Sequence, residues 1–305
     1  MMGELYRFEE RKTRRFQRAS GLRNMVRHMQ GRAPSAPPPG DPHGDEAGAY
    51  WDTAYAEFAE QGHHDLWRRH SDLINAGWLD EWLGPESVDR LLKTDLFDEV
   101  VGGGLLPLLR TRARSVSGVD ISPAAVRIAG ERYPELDARL ADIRRLPYAD
   151  ERFDRVVSNS TLDHFRAEAD IGSALREVFR VLRPGGELLI SLDNLQNPFI
   201  RLRNALPHRL LQRSGLVPYF VGATLDRERL LRALRQAGFE PCACRAILHC
   251  PRVLAVPLAG ALQRRAAEPA RRRFLALLLQ FERLAGWPSA YYTGHFVAVR
   301  ARKPL

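Results

Sequence analysis

Residues 91–192 constrain this chain more than any other stretch. They open with an apolar run, Leu91 to Val101, that breaks into Gly102-Gly103-Gly104. A helical piece follows, and then Ser115-Val116-Ser117-Gly118-Val119-Asp120-Ile121-Ser122, an apolar strand ending in an acid. Strand, glycine turn, helix, strand and acid make up the pattern of a nucleotide-binding βαβ unit. Glycines remove the Cβ atoms that would hold a ligand off the backbone. A helix N-terminus offers unpaired N–H groups to an anion, and an acid at a strand tip can accept both hydroxyls of a ribose. The glycine turn alone is a weak signal, because Gly102-x-Gly104 is followed by Pro107 where a dinucleotide fingerprint needs a third glycine.

The elements that follow discriminate further. Ala141-Asp142-Ile143 ends a third short strand, and Phe153–Ser160 is a fourth strand. Leu182-Arg183-Pro184-Gly185-Gly186 is a turn feeding a fifth strand, Glu187–Leu192. In this order the chain resembles the class I S-adenosylmethionine-dependent methyltransferases, within them the type 11 small-molecule group, over roughly residues 90–193. The resemblance implies a Rossmann-like three-layer α/β sandwich. Its sheet would be mainly parallel and seven-stranded with the last strand antiparallel, joined by a helical N-terminal lid and a helical insertion between strands six and seven. S-adenosylmethionine is the cofactor it implies. Asp120 would bind the ribose, Ile121 would pack on the adenine, and Asp142 would accept from the adenine amine with Ile143 beside it. Gly102 and Gly104 would admit the methionine end, and Ser158 would sit beneath the methyl group.

These enzymes usually read acid-x-Gly-x-Gly-x-Gly after strand one, and this chain departs from that. With Asp98 as the acid, Val100 stands where the first glycine should be. In a second register the strand ends at Asp95, residues 97–101 are an insertion, and Thr94 and Asp95 line the cofactor. His164, just after strand four, is the candidate general base, since an ordinary imidazole titrates near neutrality. Asp163 reads as a helix N-cap or an arginine partner.

A chain of 305 residues with 45% hydrophobic content can bury one core with additions. Residues 1–32 carry nine Lys/Arg and three Glu, so this arm supplies +6 of the +9 formal charge. Its apolar positions, among them Phe8, Phe16, Leu22 and Met25, suit a basic amphipathic helix on an anionic membrane surface; the competing reading is a disordered tail. Residues 33–48 are a proline-rich linker, and 49–305 would be the methyltransferase domain. The three cysteines (Cys242, Cys244, Cys250) fit a reducing compartment, and the start lacks a secretory core, so a cytoplasmic protein is expected. No metal site is expected.

Aromatic-rich helices over 49–89 precede the first strand and carry His63, His64 and His70. Residues 194–222 and 251–288 read as substrate-side elaborations, with strand six at Phe239–His249 and the last strand at Tyr291–Arg300. Asn-Pro-Pro-Tyr, a signature of enzymes that methylate adenine or glutamine amines, is absent, and Ser158-Asn159-Ser160-Thr161 stands there. The expected acceptor is therefore a small molecule, lipid-linked or a natural-product intermediate, and no nucleic-acid partner is expected. Competing readings are a nicotinamide-dependent oxidoreductase and a non-catalytic nucleotide-binding module on the same fold.

Overall fold

The central sheet has seven strands in the order β3-β2-β1-β4-β5-β7-β6, in a computed structural model that describes residues 45–61, 65–207, 211 and 220–305. The basic arm, most of the proline-rich linker, and His63 and His64 lie outside the described residues. Two helices come first, α1 (Asp45–Gln61) and α2 (Asp65–Leu83), then β1 (Val88–Lys93), α3 (Phe97–Val101), α4 (Leu106–Arg112) and β2 (Ala113–Asp120). The half closes with α5 (Pro123–Arg132) and β3 (Asp137–Leu140). The chain then returns to the sheet centre with β4 (Phe153–Asn159), α6 (Glu168–Val181) and β5 (Leu182–Asp193). After α7 (Pro198–Ala205) come α8 (Arg227–Gln236), β6 (Glu240–Ile247), α9 (Arg252–Arg265), α10 (Glu268–Gln280), α11 (Ala290–Thr293) and β7 (Phe296–Arg302).

β1 pairs in parallel with β2 on one side and β4 on the other. The strand order reverses there, and such a switch point leaves a crevice at the carboxyl ends of the strands. β7 runs antiparallel between β5 and β6. The helices cover the sheet for ordinary reasons. In α6 the residues Ile171, Ala174, Leu175, Val178 and Val181 recur at helical spacing and are all buried. Ser122 caps α5 by accepting from the Ala125 N–H at 2.9 Å, ahead of Pro123 in the first turn.

Several boundaries differ from the sequence reading. The third strand ends at Leu140, before Ala141-Asp142-Ile143, and the fifth begins at Leu182, so residues 182–186 belong to it. The first helix begins at Asp45, inside the stretch read as linker. Gly48 packs so closely on the Ile121 carbonyl that a Cβ would sit 2.7 Å from its oxygen. β7 begins at Phe296 instead of Tyr291, because residues 290–293 form a helical turn. The Asn194 amide donates to the Tyr291 and Gly294 carbonyls at 2.7 and 3.0 Å, and Asn197 donates to Thr293 and Gly294 at 3.1 Å each, which satisfies that turn from outside. Strand six is likewise shorter than expected, ending at Ile247.

Candidate active site

A cavity of about 1140 Å³ opens at the carboxyl ends of β1, β2 and β4. Ligand pockets commonly hold about 300–1,000 Å³, so there is room here for two molecules. Of the residues singled out from sequence, Asp95, Asp98, Asp120, Ile121, Asp142, Ile143 and His164 line it. Gly102, Gly104 and Ser158 do not.

The glycines are displaced because β1 stops at Lys93 and α3 intervenes, which is the second of the two registers. Lys93 is fully buried and bonds Glu99 at 2.9 Å, the Asp95 carboxylate at 3.1 Å and the Asp95 carbonyl at 2.7 Å. Burial alone would lower the Lys93 pKa, but the Asp95 and Glu99 carboxylates outweigh it and hold the ammonium charged. Glu99 in turn accepts from the Leu105 and Leu106 amides at 2.9 and 3.1 Å. Gly104, with φ +68°, turns back over Glu99, whose Oε1 would lie 2.8 Å from a Cβ there. The Arg68 guanidinium covers Gly102, with Nη2 2.7 Å from where its Cβ would be. The glycines thus make room for Glu99 and Arg68, and the cavity wall nearby is Thr94, Asp95 and Arg68. Ser158 is buried one residue short of the cavity, and Asn159 lines it instead.

At the tip of β2, Asp120 is buried and accepts from the Leu96 amide at 2.8 Å and the Ser122 amide at 2.8 Å. The Tyr55 hydroxyl, from α1, donates to it at 3.1 Å. Burial raises the Asp120 pKa, against these three donors. Asp142 is gripped by the Arg144 guanidinium at 2.7 and 3.0 Å, and Arg144 also reaches Asp170 at 2.9 Å. Thr161 donates to Asp95 at 3.1 Å and lies 3.1 Å from the Thr94 hydroxyl. Burial pushes the Asp95 carboxyl well above its ordinary range, with Asp98 and Glu99 adding to it.

His164 sits in a turn after β4 with Nδ1 3.1 Å from the Phe220 carbonyl oxygen. That acceptor requires the proton on Nδ1, so the neutral ring carries its lone pair on Nε2. Trp51 meets the ring edge-on at 4.8 Å. Gly222 holds the turn: it donates to the Asp163 carbonyl at 2.8 Å, and a Cβ there would lie 1.9 Å from the Phe165 oxygen. Ser160, at φ +52°, begins the turn in a strained conformation of a kind that collects at functional sites. Asp163 is neither N-cap nor arginine partner. Its Oδ2 accepts from the Ser160 hydroxyl at 2.8 Å and the Asp193 amide at 3.1 Å. Its Oδ1 is buried without a hydrogen bond among the described residues, 3.8 Å from His164 Nε2.

Sequence reasoning placed the aromatic helices that carry Tyr55 near the substrate, but missed Arg68 on them and the group around Asp193 on the far wall. Asp193 bonds Arg203 at 2.6 Å and lies 3.3 Å from His295, which also meets Arg252 at 2.7 Å. Burial alone would raise the Asp193 pKa, but Arg203 and His295 outweigh it and hold it below the ordinary range. Burial and Arg252 push His295 down to about 4. The one available signal was Arg68 and Asp72, one helical turn apart, both of which line the cavity.

This sheet order, with the crevice at its switch point and an acid on the tip of β2, defines a class I methyltransferase fold. Residues 100–190, under a third of the chain, match the type 11 family model described as "Methyltransferase domain". The chain is 34% identical over 140 residues to erythromycin 3''-O-methyltransferase of Saccharopolyspora erythraea, covering 43% of this chain and 44% of that one. It is 38% identical over 94 residues to phthiotriol/phenolphthiotriol dimycocerosates methyltransferase 1 of Mycobacterium ulcerans, covering 29% and 32%. The matches thus span less than half the length of either relative. Among solved structures, phosphoethanolamine N-methyltransferase 2 of Haemonchus contortus superposes with a TM-score of 0.54 at 15% identity, covering 84% of this chain and 59% of that one. The [4+2]-cyclase SpnF superposes at 0.50 and 21% identity, covering 76% and 81%. The fold is common to both solved structures, and a fold does not fix a reaction.

Proposed function

We propose that this protein transfers the methyl group of S-adenosylmethionine to a small, largely apolar acceptor. One observation carries the reading: a single cavity joins the Asp120 tip of β2 to His164 and then to the apolar residues of α7 and α9.

The residues fit the cofactor. Asp120 Oδ1 takes a short hydrogen bond only from the Ser122 amide, which leaves it able to accept from a ribose. Arg68 lines the cavity; its Nε and Nη2 are buried against Gly102 without a hydrogen bond among the described residues, and Asp98 stands 3.5 Å from Nη2. A cation left this way suits the carboxylate of an amino acid. Asp72, Asp95 and Asp98 face the same end. Their oxygens suit an ammonium at the methionine end.

When bound, the cofactor supplies an activated methyl group open to in-line displacement. The protein's part is alignment and exclusion of water. Trp51 and Tyr50, with the Tyr50 hydroxyl accepting from the Phe220 amide at 2.7 Å, wall the middle of the cavity. His164 Nε2 takes the acceptor's hydroxyl proton, and the imidazolium so formed can donate to Asp163 Oδ1, the oxygen without a partner. Asp163 is a positioning residue in this scheme.

Arg68 gives the test. Arg68→Ala should weaken S-adenosylhomocysteine by tenfold or more, since a charge-assisted contact is worth about 1.5–3 kcal/mol. The same variant should bind methylthioadenosine, which lacks the carboxylate, as the parent does. Equal losses for both ligands would mean that Arg68 acts on the fold, and no loss for either would remove it from the site.

A further inference from the structure

The cavity's mouth is unlike the rest of the surface. On α7, Phe199 and Leu202 point outward while Ile200 is buried and Arg203 turns in to Asp193. On α9, Ala255 and Ala259 are buried, whereas Val253, Leu254 and Leu258 are each half or more exposed, Leu254 at 69%. Tyr292, also exposed, joins them. Five of these outward residues, all but Leu258, also line the cavity. The apolar rim is therefore the entrance. A helix apolar on both its inner and outer faces has an outer face that calls for a cover.

The charges say which cover. α7 and α9 contain no acidic residue, and outward on them stand Arg201, Arg264 and Arg265. Arg265 lies two helical turns beyond Leu258, about 10 Å along the axis and on the same side of the helix. A second copy seated on this face by two-fold symmetry would set these arginines against themselves. An anionic bilayer complements them and accepts the apolar side chains between the headgroups. Among the described residues no helix is long and apolar enough to cross a membrane.

We propose that α7 and the first half of α9 form an interfacial docking face for anionic membranes, through which an amphiphilic acceptor passes sideways from the bilayer into the cavity. This rests on the proposed activity only for the acceptor's route; docking itself needs no cofactor and is measured without it.

The full chain is sedimented with vesicles of phosphatidylcholine alone, and of phosphatidylcholine with phosphatidylglycerol. Binding should appear with the anionic vesicles and weaken as salt rises. The double variant Leu254→Glu, Leu258→Glu should lower that binding at least tenfold. Its thermal midpoint and S-adenosylhomocysteine affinity should match the parent's, which shows that the variant is folded. Phe199→Glu, on the other helix, should act the same way. Parent-like vesicle binding by these variants would overturn the proposal. So would loss of binding on deleting residues 1–44 with the Glu variants unaffected, which assigns the contact to the basic arm. Absence of parent binding, or light scattering that shows a dimer dissolved by Leu254→Glu, would also overturn it. Failure of the methyltransferase reading shows separately, as absent S-adenosylhomocysteine binding with vesicle binding intact.

Discussion

His164→Ala is expected to lower turnover by about 10²–10⁴-fold, the usual contribution of a positioned general base, while cofactor affinity stays within a few-fold. Geometry gives the reason. The Phe220 carbonyl holds Nδ1 at 3.1 Å, which leaves Nε2 as the accepting nitrogen, and Asp163 Oδ1 lies 3.8 Å from that same nitrogen. His164→Gln separates shape from proton transfer, because an amide keeps a hydrogen bond but accepts no proton. A glutamine variant with near-parent turnover would end the general-base role and leave alignment and desolvation as the means of catalysis. Single-turnover rates with an identified acceptor make the comparison.

Asp120→Asn should weaken S-adenosylhomocysteine at least tenfold, since each charge-assisted hydrogen bond to a ribose hydroxyl is worth about 1.5–3 kcal/mol. The structure adds a second effect. The same carboxylate holds the Leu96 and Ser122 amides at 2.8 Å each, tying the end of β1 to the end of β2. Asp120→Ala strands both buried donors at about 1–3 kcal/mol apiece, so it should melt well below the parent. Calorimetric titration of the asparagine variant, run below its own melting midpoint, isolates the binding term. Unchanged affinity would take Asp120 out of the site.

The alternation of strands and helices was legible because its signals are local. The buried stripe of α6 and the Ser122-Pro123 cap can be read a few residues at a time. The register at the end of β1 was not, because Asp95 and Asp98 both follow an apolar run. What decides it is Lys93, buried between Asp95 and Glu99, a tertiary event that spacing does not reveal. The glycines mislead for a related reason. Glycine reports that something comes close without saying what, and here it is Arg68 and Glu99. Ser158 missed the cavity by one residue because side chains alternate along a strand and only its last position faces the opening. Arg68 reaches the site from a helix far earlier in the chain. The acids Asp120 and Asp142 and the histidine His164, which end or follow strands, line the cavity because strand ends at a switch point open onto such a crevice.

The central claim is that the β1–β2–β4 crevice is built for an S-adenosyl ligand and not for a dinucleotide. Isothermal titration of the full chain with S-adenosylhomocysteine and, separately, with NAD tests it most directly. The account predicts saturable binding of S-adenosylhomocysteine and none of NAD. Binding of NAD without S-adenosylhomocysteine, or of neither, would contradict it.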